Sequence, residues 1–244
     1  MSRANRKERV QYQPQSAPNL IEIRHYLKKK TQVNLVPRNL SQESYIDMLK
    51  NPKKYIVFAI GPAGTGKTML GVQMAIKKLQ ESEIKKIVIT RPAVSVDEDL
   101  GFLPGTLNQK MEPWVIPILD VFKEYYHPKE IQDLMENGTL EIAPLGMMRG
   151  RTFKDTYIVA DEMQNTTQSQ MKMLLTRLGD NSRMIVTGDL NQADRLRDNG
   201  LLDFVNRTEQ ADRLKLIDIA WFTRADVERH PVVKEILTIY NDEE

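Results

Sequence analysis

The chain has 244 residues, 41% of them hydrophobic and 28% charged, which suits one globular domain with a full core. There is no cysteine, so a disulfide framework and a Cys-based zinc site are excluded, and no stretch approaches the ~20 apolar residues that span a bilayer. Net charge is only +2, but residues 1–54 hold 12 Lys/Arg against 4 Asp/Glu, which leaves the remainder acidic.

Residues 1–18 are polar and charged, contain Pro14 and Pro18, and are expected to form a disordered basic arm. Such an arm suits a polyanionic partner such as nucleic acid; the alternative is a solvated tail that aids solubility. No apolar run follows it, so it does not read as a secretory signal, and the cytoplasm is the expected location. Residues 19–54 form an extension ahead of the main domain at 55–244.

Tyr55–Ile60 is a continuous apolar run with aromatic and β-branched residues, the pattern of a strand buried on both faces. A Gly-rich turn follows, then a helix over Lys67–Gln80 whose Met69, Val72, Ile76 and Leu79 share one face. Further strands are predicted at Ile87–Thr90, Leu140–Ala143, Thr156–Ala160, Met184–Thr187 and Leu216–Ile219. The segment from Asp97 to Asn137 is less regular and is expected to be mostly helical. Thr167 and Gln170 form a capping-box pair that opens a helix over Gln168–Leu178, and Val232–Tyr240 reads as a closing helix. Short apolar strands alternating with helices predict an α/β fold, a parallel sheet covered by helices on both faces.

The turn Gly61-Pro62-Ala63-Gly64-Thr65-Gly66-Lys67-Thr68 fits the Walker A pattern. Its glycines let the backbone curl so that N–H groups point inward at phosphate oxygens, and the following helix adds its positive N-terminus. Lys67 places a point charge on the β- and γ-phosphates, and the Thr68 hydroxyl is a Mg²⁺ ligand. Asp161-Glu162 ends the strand TYIVA. A carboxylate there can support Mg²⁺, and its neighbour can deprotonate an attacking water, which favours hydrolysis over transfer. Met184–Thr187 leads into Gly188-Asp189-Leu190-Asn191-Gln192, and its end should lie between the P-loop and the Asp161 strand, with Gln192 facing the γ-phosphate or the water; a plain β-turn is the alternative.

These three motifs, in this order, resemble a superfamily-one helicase core, and more closely the PhoH family of phosphate-starvation-inducible ATPases. The resemblance runs from about Asn39 to Tyr240. It includes Ile89-Thr90-Arg91-Pro92-Ala93, Leu100-Gly101-Phe102-Leu103-Pro104-Gly105, Met148-Arg149-Gly150-Arg151-Thr152, Asp161-Glu162-Met163-Gln164 and Asp226-Val227-Glu228-Arg229-His230-Pro231. It implies a RecA-like fold, ATP and Mg²⁺ as ligands, and RNA or single-stranded DNA as partner, with helicase or translocase action possible. Asn39-Leu40-Ser41-Gln42 resembles the Q motif, which assigns Gln42 to the adenine edge; a surface Gln opening a helix is the alternative. Gln164 would couple the nucleotide site to a nucleic-acid groove.

Superfamily-one helicases take an arginine finger from a second RecA-like domain, and this chain has room for one domain only. A homo-oligomeric ring, expected to be a hexamer, would supply the arginine from a neighbour, with Arg229 as the family's candidate and Arg91 and Arg224 as alternatives. Arg149 and Arg151 either grip a phosphate or are surface charge. Some relatives carry a fused PIN nuclease domain; the length here leaves no room for one, so no nuclease activity is expected. A nucleotide-dependent switch that remodels a protein partner is the alternative function, and a small-molecule kinase a third.

Overall fold

The computed structural model describes residues 31–92, 107–193, 198–210, 214–228 and 232–233, with the side chains of 107–114 excepted; all belong to one compact unit, Thr31–Glu244. The basic arm, the Leu100–Gly105 motif, Arg229 and His230 lie outside these residues. So does the closing helix beyond Val233, Val232 and Val233 themselves being helical.

The described elements are α1 (Leu40–Lys50), β1 (Ile56–Ile60), α2 (Lys67–Gln80), β2 (Lys86–Thr90), α3 (Leu107–Lys123) and α4 (Pro128–Glu136). They continue with β3 (Leu140–Ile142), β4 (Thr156–Ala160), α5 (Gln168–Leu175), β5 (Arg183–Gly188), α6 (Gly200–Glu209) and β6 (Ile217–Trp221). The irregular segment is thus helical over α3 and α4, as expected.

The six strands form one sheet in the order β3-β2-β4-β5-β1-β6, and every pairing is parallel. Alternate side chains feed opposite faces. Val57, Ala59, Ile87, Ile89, Val159 and Ile185 pack with α1 to α4. Phe58, Ile60, Val88, Ile158, Ala160 and Val186 pack with α5, α6 and the turns that follow β3 and β4. This is the RecA-like P-loop arrangement: β5 separates β1, which carries the Gly-rich turn, from β4, which carries the acidic pair.

Two elements differ from the sequence reading. The face assigned to α2 is too narrow, because Leu70 through Ile76 are all buried. The helix is held between the sheet, α1 and α3, and small Gly71 lets Ile185 and Tyr45 approach closely. Helix α5 stops at Leu175 rather than Leu178. Thr176 turns its hydroxyl onto the Lys172 and Met173 carbonyls (3.0 and 2.9 Å), and the Arg177 Nε–H donates to Met173 O (3.1 Å), so these side chains cap the carbonyls that a longer helix would use.

Candidate nucleotide site

The turn after β1 is shaped by its glycines. Gly61, Gly64 and Gly66 have φ of 143°, 83° and 83°, conformations that side chains rarely adopt. A Cβ on Gly61 would lie 2.2 Å from the Phe222 carbonyl oxygen, so the turn also needs glycine for space. Gly66 is the N-cap of α2 and offers no side-chain cap, which leaves the first N–H groups of the helix to the cleft.

Around this turn lies a cleft of about 270 Å³, lined by Ala63, Gly64, Gly66, Lys67, Thr68, Met69, Asp161, Glu162, Thr187, Gly188, Asp189 and Gln192. The register of β1, β5 and β4 brings together three segments that are far apart in sequence. The Lys67 ammonium donates to the carbonyl oxygens of Gly61 and Pro62, both at 2.6 Å. Burial pulls its pKa below the ordinary lysine range, opposed by the charges of Asp189, Glu162 and Asp161.

Asp161 is buried at the end of β4, and its Oδ1 accepts from the Thr68 hydroxyl at 2.7 Å and from the Thr187 hydroxyl at 2.5 Å. A hydroxyl and a carboxylate converging on a phosphate-sized cleft are the hard oxygen donors that Mg²⁺ takes, so the residues present fit that ion. Glu162 follows in the left-handed region at φ 57°, a strained place for a side chain. Its Oε2 accepts from Gln164 Nε2 at 2.6 Å, and its Oε1 lies 3.2 Å from Arg91 Nη2. Gln164 is itself buried, and its Oε1 accepts from Asp189 N at 3.1 Å. Gln192 sits exposed on the short helical turn Leu190–Gln192, where Asp189 caps Asn191 N.

Other sequence candidates fall elsewhere. Gln42 is not a surface residue but is buried behind the P-loop. Its Nε2 donates to Thr65 O at 3.0 Å and its Oε1 accepts from Arg38 N at 2.9 Å, so backbone groups occupy both ends of the amide. Arg151 forms a bidentate pair with Glu141 and lies over the Phe153 ring at 4.5 Å, which makes it part of an ion-pair network at the sheet edge. Arg149 and Arg224 are exposed. Three contributors were given no part in the nucleotide site by the sequence reading. Thr187 was seen only as a strand residue, although a polar residue late in an apolar strand was the available signal. Asn39 and the segment around Asp226 brace the turn from behind: Asn39 Nδ2 donates to Asp226 O (3.3 Å), and Glu228 N donates to Gly64 O (3.0 Å).

The profile of the PhoH-like protein family matches residues 34–241, which includes every motif described above. The chain belongs to that family. It is 47% identical over 206 residues to a PhoH-like protein of Mycobacterium tuberculosis (strain ATCC 25618 / H37Rv), covering 84% of this chain and 57% of the relative. It is 44% identical over 206 residues to a PhoH-like protein of Bacillus subtilis (strain 168), covering 84% and 63%. It is 37% identical over 211 residues to Protein PhoH of Escherichia coli (strain K12), covering 85% and 58%. The chain therefore spans less than two thirds of the length of these relatives. Among solved structures, a Sulfolobus solfataricus SWI2/SNF2 ATPase core in complex with dsDNA aligns at a TM-score of 0.41 and 14% identity, over 80% of this chain and 47% of that one, a likeness too slight to build on. Among the described residues, no helix is long and apolar enough to cross a membrane.

Proposed function

We propose that this PhoH-like chain binds and hydrolyses ATP with Mg²⁺ and couples turnover to binding or remodelling RNA or single-stranded DNA. The observation that carries the hydrolytic reading is the 2.7 Å contact between Thr68 Oγ1 and Asp161 Oδ1, with Glu162 beside it in the same cleft. Lys67 and the N–H groups of the turn hold the phosphates. Thr68 and Asp161 hold Mg²⁺, which when bound neutralises charge on the phosphate oxygens. Glu162 takes a proton from the attacking water, in an orientation held by Gln164. Gln192, exposed at the rim, reaches the γ-phosphate or the water. Adenine recognition by Gln42 rests on the Q-motif resemblance and would require its amide to give up Arg38 N or Thr65 O.

The nucleic-acid partner is supported by the basic arm and by the helicase-like order of motifs. A cytoplasmic homo-oligomeric ring, a hexamer in the simplest case, with Arg229 reaching a neighbour's site, is part of the same proposal. Turnover measured at low salt with and without single-stranded RNA and DNA tests the coupling. Stimulation by one of them is expected, and it should weaken as salt rises. A rate indifferent to both would leave an ATPase without this partner.

A further inference from the structure

Arg91 is the first residue after β2. That strand lies beside β4 with Thr90 opposite Ala160, so the sheet register alone carries Arg91 to the acidic pair. Its carbonyl oxygen accepts from Leu145 N at 3.2 Å, which anchors the backbone at this point. Its guanidinium Nε lies 3.4 Å from Asp161 Oδ2 and its Nη2 3.2 Å from Glu162 Oε1. The other two carboxylate oxygens have different partners. Asp161 Oδ1 takes the Thr68 and Thr187 hydroxyls, and Glu162 Oε2 takes the Gln164 amide. Arg91 therefore meets the one oxygen of each carboxylate that those three residues leave.

We propose that Arg91 is a positioning residue that acts within its own chain, bridging Asp161 and Glu162 and fixing the orientation in which Glu162 faces the cleft. The inference rests on the reading of Glu162 as the base in ATP hydrolysis. Two consecutive carboxylates at one strand end repel each other, and a cation between them removes that cost. The planar guanidinium presents donors along two edges and can serve both carboxylates at once, whereas an ammonium acts as a single point charge. Glu162 also holds a left-handed backbone conformation at φ 57°, which persists only where the surroundings over-determine it. Arg91 on one side and Gln164 on the other provide that constraint. In this arrangement Arg91 is committed to its own subunit's acidic pair, in contrast to a finger offered to a neighbour.

The test uses the full chain and the variants Arg91→Ala and Arg91→Lys. Loss of a group that only orients a catalytic residue typically lowers activity by about 10–100-fold, and that is the fall in kcat expected for Arg91→Ala. Arg91→Lys should recover part of it. Affinity for ADP, measured by calorimetry without Mg²⁺, should stay at the parental value, because no phosphate contact is removed. Mixing Arg91→Ala chains with Lys67→Ala chains should restore nothing. A urea-unfolding cycle over Arg91→Ala, Glu162→Gln and the double variant provides a readout independent of turnover. Removing the Glu162 charge should cost less stability, or gain some, once Arg91 is gone. Parental kcat in Arg91→Ala, parallel loss of ADP affinity, recovery on mixing, or strictly additive unfolding effects would each overturn the proposal. A parent that hydrolyses no ATP would instead refute the ATPase reading, and the unfolding cycle would still decide whether Arg91 bridges the pair.

Discussion

Substituting alanine for Gly188 places a methyl group where the end of β5 meets the support of the acidic pair. A Cβ there would lie 2.5 Å from Leu201 Cδ2, 2.9 Å from Gln164 Oε1 and 3.2 Å from Gln164 N. The leucine methyl is the end of a flexible side chain and can swing away. The amide is tied at both ends, to Asp189 N at 3.1 Å and to Glu162 Oε2 at 2.6 Å. Regaining ordinary contact requires its oxygen to retreat by about 0.5 Å, which stretches the bond to Asp189 N toward the ~3.5 Å at which hydrogen bonds fail. Overpacking of this kind costs about 1–3 kcal/mol in stability. A misplacement of about 1 Å can cost about 10²-fold in rate, so a shift of half that size in Glu162 should cost about tenfold in kcat. Urea unfolding and steady-state ATP turnover on the same preparation give both numbers, with ADP affinity as the control that should not move. A variant that loses stability in this range but keeps parental kcat would show that Gln164 does not transmit strain to Glu162.

Lys67→Ala should weaken nucleotide binding itself, since it removes the cation at the phosphates; calorimetric ADP affinity equal to the parent's would mean that Lys67 does not touch them. Glu141→Gln tests the ion-pair network at the sheet edge. Hydrogen bonding from Arg151, with help from Lys86, holds the Glu141 carboxyl at a pKa of about 2, below the ordinary glutamate value of ~4.3. A depressed carboxylate stabilises the fold above its unfolded pKa, and that stability is lost as pH falls from about 4.5 to about 2. Full conversion of the shift would give about 3 kcal/mol, and solvent screening of the part-exposed pair reduces this to about 1–2 kcal/mol. Melting temperatures of parent and Glu141→Gln should therefore differ at pH 7 and converge near pH 2; a constant gap would place the effect elsewhere.

Much of this site was legible in the sequence because its chemistry is local. The P-loop is one turn flanked by a buried strand and a helix, and the acidic pair is two residues at a strand end. Alternating strands and helices also indicated a parallel sheet, and the P-loop pattern implied that the end of β5 lies between the two motifs, as it does. What sequence reading missed depends on contacts between distant residues. The Q-motif resemblance assigns Gln42 to the adenine edge, but no linear motif shows that its amide meets backbone groups 4 and 23 positions away. Arg91 was an alternative to Arg229 as a finger, and nothing in a linear motif shows that β2 and β4 are adjacent and bring it beside Asp161 and Glu162. The periodicity of α2 under-reported its burial, because a helix enclosed on several sides needs no polar face. Arg151 shows the same limit: a Gly flanked by two arginines suits a phosphate grip as well as surface charge, and only the pairing of β3 with β2 brings Glu141 and Lys86 together beside it.

Under the proposed function, this cleft hydrolyses ATP with Glu162 as the base. Steady-state phosphate release from Mg-ATP, compared between the parent chain and Glu162→Gln, tests it most directly. The amide keeps the shape of the side chain and removes its basicity, so ATP binding should persist while turnover falls by about 10²–10⁴-fold. Near-parental hydrolysis by Glu162→Gln would mean that Glu162 is not the base.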